Sequence, residues 1–411
     1  VSINAKVLII GAGHAAGALA AQLRENGHQG DITIVGDEPW LPYQRPPLSK
    51  AFLKGEPDPQ SLYLKNAAWY AEQGIVLRSG ESAVAIERGP RQVILASGER
   101  LAYDYLVLAT GARARQLAAP GAQLANILTL RGIDDAARLK AALQPGRRLA
   151  VVGGGYIGLE AAASARALGV EVTVIEREAR LLARVASEPL AQFFDGLHRQ
   201  NGVHVIRDAC LEHFEGSDSV QAVCLADGRR VQCDVALVGV GAQPRDELAR
   251  EAGLECGNGV AVDHDARSSD PSIFAIGDLS FRPLPVYGER MFRLESVPNA
   301  LEQARQVACA ITGKSRPAPE VPWFWSDQYD CKLQIAGLPF GANRQVLRGS
   351  PAQGKFAVYH LCGEQVVAVE AVASPLDFIA GKQFIASAVA VSAERLADTA
   401  VKAKDAALPA A

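Results

Sequence analysis

The chain has 411 residues, with 42 Lys+Arg against 45 Asp+Glu, a net charge of −3, 49% hydrophobic and 21% charged residues. This balance excludes a disordered or collagen-like chain and disfavours general nucleic-acid binding, which needs a basic field. At ~150 residues per domain the length predicts about three domains.

Lys6–Ile10 is a short apolar run, as a buried parallel strand requires. It enters a glycine turn, Gly11-Ala-Gly13-His14-Ala15-Ala16, and then a helix-like stretch from Gly17. Asp31–Val35 is a second strand, and Asp37 follows it. The uncharged stretch Val7–Leu23 resembles a signal-peptide core, but its three glycines read as a strand, a tight turn and a helix. No other apolar run approaches the ~20 residues of a membrane span, so no transmembrane helix is expected.

The same order returns later. Arg148–Val152 leads into Gly153-Gly154-Gly155-Tyr156-Ile157-Gly158, a helical stretch, and the strand Glu171–Ile175 ending at Glu176. Asp104–Ala112 likewise resembles Asp234–Ala242, each an apolar strand running into a glycine turn. The chain thus holds two copies of one nucleotide-binding fold. Beyond Pro317, stretches such as Lys332–Ile335 and Lys355–Tyr359 alternate as antiparallel strands do, which predicts a third, α+β domain. The tail from about Ala393 is expected to be helical or frayed.

The fold class is therefore α/β, with two Rossmann-like dinucleotide-binding domains and a C-terminal α+β domain. The expected boundaries are 1–112 and 245–320 for the two segments of the first domain, 113–244 for the second domain and 321–411 for the last.

Both glycine motifs fit the dinucleotide fingerprint. Gly11 and Gly153 permit the tight turn, Gly13 and Gly155 let a pyrophosphate approach the backbone, and Ala16 and Gly158 let helix pack on strand. Asp37 and Glu176 lie 21 and 18 residues beyond Ala16 and Gly158, placed to accept hydrogen bonds from ribose hydroxyls. Glu176 opposes a 2′-phosphate, so the second copy should prefer NAD over NADP, although Arg177 beside it pulls the other way unless it is a solvated strand-end charge.

The seven cysteines, Cys210, Cys224, Cys233, Cys256, Cys309, Cys331 and Cys362, are widely spaced, and no CxxC or CxxxxC pair occurs. A disulfide framework or a metal site is not expected, and the chain reads as a reduced cytoplasmic protein.

Arg45-Pro46-Pro47-Leu48-Ser49-Lys50, Phe274-Ala275-Ile276-Gly277-Asp278 and Phe324-Trp325-Ser326-Asp327-Gln328 add more specific motifs. With them, the chain resembles, over essentially its whole length, the FAD-dependent pyridine-nucleotide reductases. Within these it is similar to the NADH–ferredoxin reductases of bacterial oxygenase systems. The resemblance implies that the first fingerprint binds FAD and the second NADH, and that electrons pass to a 2Fe–2S ferredoxin. That ferredoxin would feed a haem-thiolate monooxygenase or a ring-hydroxylating dioxygenase.

Redox-active cysteines of the wider superfamily sit near the first unit, yet no cysteine precedes Cys210 here. Electrons should therefore leave from the flavin directly, which suits a one-electron iron–sulfur acceptor. A rubredoxin reductase, or a flavoprotein like apoptosis-inducing factor, is the alternative that the resemblance leaves.

The resemblance also assigns site residues. Lys50 is placed near the flavin ring and paired with Glu160. The other reading of Glu160 is a first-turn acid on the helix dipole. Gly11, Gly13, His14, Ala15, Ala16, Asp37, Arg45, Ala83, Thr110, Gly111, Arg131, Gly277, Asp278, Val297 and Trp325 fall to FAD. Gly153, Gly155, Tyr156, Ile157, Gly158, Glu160, Glu176, Arg177, Arg184, Gly241 and Glu295 fall to NAD. Lys50, Glu160 and Trp325 are the catalytic candidates. Core filling is the other reading of Trp325 and the favoured one for Trp323. Ferredoxins are usually acidic, so Arg113, Arg115, Arg316, Lys332 and Arg344, which flank the cofactor and C-terminal motifs, are candidates for a basic docking rim, an ordinary solvated surface charge being the favoured reading of each one singly.

Overall fold

The structure, a computed structural model, describes residues 3–409. It falls into two compact units. The first comprises Val1–Gln44, Gln60–Arg113 and Gln243–Trp323, and the second Arg45–Pro59, Ala114–Ala242 and Phe324–Ala411.

In the first unit Val7–Ile10 is buried at every position because both faces of its sheet are covered. Val7 and Ile9 point into one core with Ala16, Leu19 and Leu23, while Leu8 and Ile10 point into another with Val93 and Leu95. The sheet is parallel, in the order Ile273–Ala275, Tyr105–Leu108, Val7–Ile10, Ile32–Gly36, Ile75–Ser79. The helices His14–Glu25 and Val297–Thr312 cover one face through Ala16, Leu19, Ala304 and Val307. A three-stranded antiparallel sheet, Ala83–Glu87, Gln92–Leu95 and Arg100–Ala102, contributes to the opposite core.

The second unit repeats this plan. Its parallel sheet runs His204–Ile206, Glu171–Ile175, Arg148–Val152, Val235–Val238, Ile127–Leu128. Leu149 and Val151 share a core with Leu159 and Ala162 of the helix Tyr156–Ala167, and Ala150 and Val152 pack on the other side with Val223 and Leu225. The expected duplication is therefore present in strand order, register and burial.

The C-terminal segment is a five-stranded sheet in the order Trp323–Gln328, Cys331–Gly337, Gln365–Val372, Lys355–Cys362, Arg344–Ser350. Its Leu333, Ile335, Phe356 and Val358 join the same core as Val151 and Phe194, and so does Leu53 of the segment 45–59. The tail forms a short helix, Ala393–Ala397, and a 3-10 turn, Ala403–Ala406. It is tied down because the Arg348 guanidinium donates to the carbonyls of Leu396, Asp398 and Val401. No helix among the described residues is long and apolar enough to cross a membrane.

Candidate active site: two glycine cradles and a buried ion pair

The first cradle begins where Val7–Ile10 ends. Gly11 has φ +107°, and a Cβ there would stand 2.2 Å from the Ala109 carbonyl oxygen, so the turn admits only glycine. Gly13 caps the helix His14–Glu25, and a Cβ on it would meet nothing within 4 Å. The space at Gly13 is what a phosphate needs in order to reach the free N–H groups of a helix start. Ala15 and Ala16 are buried in the first turn.

His14 lies in that turn with a buried, unpartnered Nδ1. Burial pushes its pKa below the ordinary value, and the nearby Asp278 carboxylate opposes the shift. An open helix start beside an unpaired ring nitrogen fits a bound dinucleotide. Gly277 is close by, its N–H donating to Gln303 Oε1.

Asp37 follows the second strand and pairs with Arg245 at 2.8 Å. Arg245 also ties the strand ends together: its N–H donates to the Gly111 carbonyl, and its own carbonyl accepts from Thr110 Oγ1. Sequence reasoning missed Arg245, which stands 208 residues from its carboxylate partner. Ala83 begins the small antiparallel sheet, half-buried. Val297 opens the helix that Ser296 caps, and Glu295 is exposed and pairs with Arg293 at 2.5 Å.

The second cradle has the same geometry. Gly153 has φ +109°, and a Cβ on Gly155 would meet nothing within 4 Å. A Cβ on Gly158 would stand 2.4 Å from the Gly153 carbonyl oxygen, a position that the buried Ala16 fills in the first copy. Gly241, at φ +106°, is likewise open. The Glu176 carboxylate accepts the N–H of Gly154 at 2.7 Å and of Glu178 at 2.9 Å, which aims it across the turn. Each oxygen keeps a lone pair for a ribose hydroxyl.

Tyr156 packs edge-on against Phe324, with ring centroids 5.0 Å apart. Ile157 is exposed, as are Arg184 and Arg177, and Arg177 pairs with its neighbour Glu178.

The segment 45–59 carries the ion pair. Arg45 Nη1 donates to the Arg131 carbonyl, and Pro46–Ser49 form a 3-10 turn that ends at Lys50. Lys50 Nζ lies 2.7 Å from Glu160 Oε2, with the lysine side chain 18% exposed and the glutamate 3%. Glu160 also accepts from Ser49 Oγ at 2.5 Å and Ser326 Oγ at 2.6 Å. Ser164 Oγ holds the Ser49 carbonyl. A carboxylate buried this deeply is tolerable only with a cation and hydrogen bonds on both oxygens. Glu160 is thus the lysine's partner, and the helix-dipole reading alone does not account for it. Ser49 and Ser326 were not singled out from the sequence, because no local spacing links them to position 160.

Among the rim candidates, Arg113 pairs with Glu247 and Arg316 with Asp265. Arg115, Lys332 and Arg344 are exposed.

Comparison with known proteins agrees with this geometry. Residues 5–304 match the pyridine nucleotide-disulphide oxidoreductase family and residues 323–407 the reductase C-terminal family. The chain is 51% identical over 400 residues to a probable ferredoxin reductase of Castellaniella defragrans, covering 97% of this chain and 98% of that one. It is 42% identical over 408 residues to the putidaredoxin reductase of Pseudomonas putida, covering 98% and 96%. The solved covalent complex of putidaredoxin reductase with putidaredoxin superposes with a TM-score of 0.95 at 41% identity, covering 98% of each chain. With two glycine cradles, an acid after the second strand of each and a fused reductase C-terminal domain, the chain belongs to the pyridine nucleotide-disulphide oxidoreductase family.

Proposed function

We propose that this protein is an NADH-dependent ferredoxin reductase that passes electrons through FAD to a 2Fe–2S ferredoxin serving a bacterial oxygenase. The observation that carries this reading is the pairing of two dinucleotide cradles with a buried Lys50–Glu160 pair in a chain with no cysteine before Cys210. A thiol relay at the first unit is thus unavailable, and the electrons must leave the flavin directly.

The FAD domain comprises 1–112 and 245–320, the NAD domain 113–244 and the C-terminal domain 321–411. Bound flavin supplies the exchange between a two-electron hydride donor and a one-electron acceptor. The chain's own groups do the rest. The helix starts at His14 and Tyr156 present free N–H groups to the two pyrophosphates. Asp37 and Glu176 accept ribose hydroxyls, and the charge of Glu176 turns away a 2′-phosphate. Lys50 would present a fixed positive charge to a bound flavin, and Glu160 with its two serines holds that charge in place. Arg45, Arg131, Asp278, Val297 and Trp325 are residues that family resemblance assigns to FAD, and Glu295 is one that it assigns to NADH. The seven free thiols suit the cytoplasm.

The test is anaerobic. NADH is added to the purified holoprotein with a 2Fe–2S ferredoxin, and in parallel with a rubredoxin, while the flavin spectrum is followed. Fast ferredoxin reduction is expected. Flavin reduction with neither acceptor reduced overturns the partner assignment, and rubredoxin reduction alone reassigns it.

A further inference from the structure

The proposed function draws on Trp325 and Ser326 of the motif Phe324-Trp325-Ser326-Asp327-Gln328 but not on Gln328, although Ser326 and Gln328 are equally buried, each 1% exposed. Strand alternation turns Phe324, Ser326 and Gln328 to one face. Ser326 Oγ meets Glu160 Oε1 at 2.6 Å, Gln328 Nε2 meets Ser326 Oγ at 3.2 Å, and Gln328 Oε1 meets His198 Nε2 at 2.8 Å. His198 Nδ1 meets the Tyr329 hydroxyl at 3.1 Å. His198 itself is fully buried on the helix Glu188–Gln200.

The polarity of this chain follows from its first member. An ionised carboxylate only accepts, so the Ser326 hydroxyl spends its one proton on Glu160. Ser326 then accepts from the Gln328 amide, whose carbonyl faces His198. His198 must therefore carry its proton on Nε2, and Nδ1 accepts from Tyr329. Every donor points toward Glu160, and each bond polarises the next. Burial lowers the His198 pKa, with the Gln328 bond and Asp195 opposing the shift, so the ring is neutral near pH 7. The charged and titratable groups around the relay are Asp195 on the same helix, Tyr329, and Arg166, which acts on Tyr329.

We propose that Ser326, Gln328 and His198 are positioning residues of the Lys50–Glu160 pair, in a buried relay where the charge on Glu160 selects the tautomer of His198 and the relay fixes the carboxylate against Lys50. This rests on the role given to Lys50 above. A side-chain amide does not pass protons readily, so the relay transmits polarity rather than a proton.

Two readouts separate the relay from the function it serves. The first is the imidazole nitrogen spectrum of the histidine-labelled holoprotein, with the His198 signals assigned by their loss in His198→Gln. The wild type shows His198 with a protonated Nε2 and a bare Nδ1. Glu160→Gln, which can donate to Ser326 and reverse the chain, yields a tautomer mixture. The second is the rate of flavin reduction by NADH. Gln328→Leu and His198→Leu slow it about tenfold, as loss of one hydrogen bond in a chain ending on a charge implies. His198→Gln, which keeps a donor for Gln328, restores most of the rate. Where the leucine variants do not fold, Ser326→Ala replaces them with the same expectation.

A His198 tautomer unchanged in Glu160→Gln overturns the relay. If Glu160→Gln slows flavin reduction but the relay variants do not, the positioning role is overturned and the function of the ion pair stands. If Glu160→Gln leaves the rate unchanged, the reading of Lys50 fails, and the tautomer spectrum still decides whether the relay couples the two groups.

Discussion

Replacing Lys50 with methionine removes the cation and keeps most of the volume. Glu160 then remains 3% exposed with two hydroxyl donors and no countercharge. Stripping one partner from a buried pair costs about 3–5 kcal/mol. The two serines remain and Lys50 is 18% exposed, which places this case near the lower end of that range. The kinetic effect is separate: losing one preorganised charge or donor at a reacting centre costs about 10²–10³-fold in rate.

Anaerobic stopped-flow reduction of the bound flavin by NADH reads the kinetic effect, and thermal unfolding reads the structural one. The double variant Lys50→Met/Glu160→Gln separates them. Removing both charges should recover most of the lost stability, because no uncompensated carboxylate remains, while flavin reduction stays slow. A Lys50→Met protein that reduces its flavin at the wild-type rate refutes the reasoning. So does a double variant whose rate returns with its stability, since the lysine would then only neutralise Glu160.

The cradle glycines separate into two classes. Gly13→Val should fold with an unchanged circular dichroism spectrum but bind FAD more weakly by over about tenfold, ~1.4 kcal/mol, in fluorescence titration. Gly11→Ala should cost ~3 kcal/mol or more of stability, seen in thermal melts, because its Cβ would sit 2.2 Å from the Ala109 carbonyl oxygen at φ +107°. Glu176→Gln keeps one acceptor and loses the charge, so kcat/KM should fall about tenfold for NADH and hold or rise for NADPH. His198 is held below its ordinary pKa of 6.5, so the unfolded chain takes up a proton that the folded chain refuses. Its contribution to stability is whole above pH 6.5 and is lost as pH falls toward the folded value, by at most ~1.4 kcal/mol per pH unit. Unfolding midpoints measured from pH 8 to 5 should decline less steeply in His198→Gln.

The parts of this molecule that its sequence announces are those decided within a few residues. Gly11 and Gly153 need positive φ, Gly13 and Gly155 need empty space, and Val7 to Ile10 must be apolar on both faces. Each is a local requirement, and the same requirements recur in the second copy, so the two folds are readable twice over. The Lys50–Glu160 pair is not local. It came into view through motif resemblance, since nothing in the composition joins a lysine after two prolines to a glutamate in a helix 110 residues later.

Arg245, His198 and the serines were missed for the same reason: their bonds span 208, 130, 111 and 166 residues. One signal was nevertheless present. In the strand Trp323–Gln328, Ser326 and Gln328 share a register with the core-facing Phe324. A polar side chain on a buried strand face must find a partner, because leaving it unpaired costs about 1–3 kcal/mol. The alternation that marks the strand therefore also points to two buried polar groups seeking acceptors, and Glu160 is where that search ends.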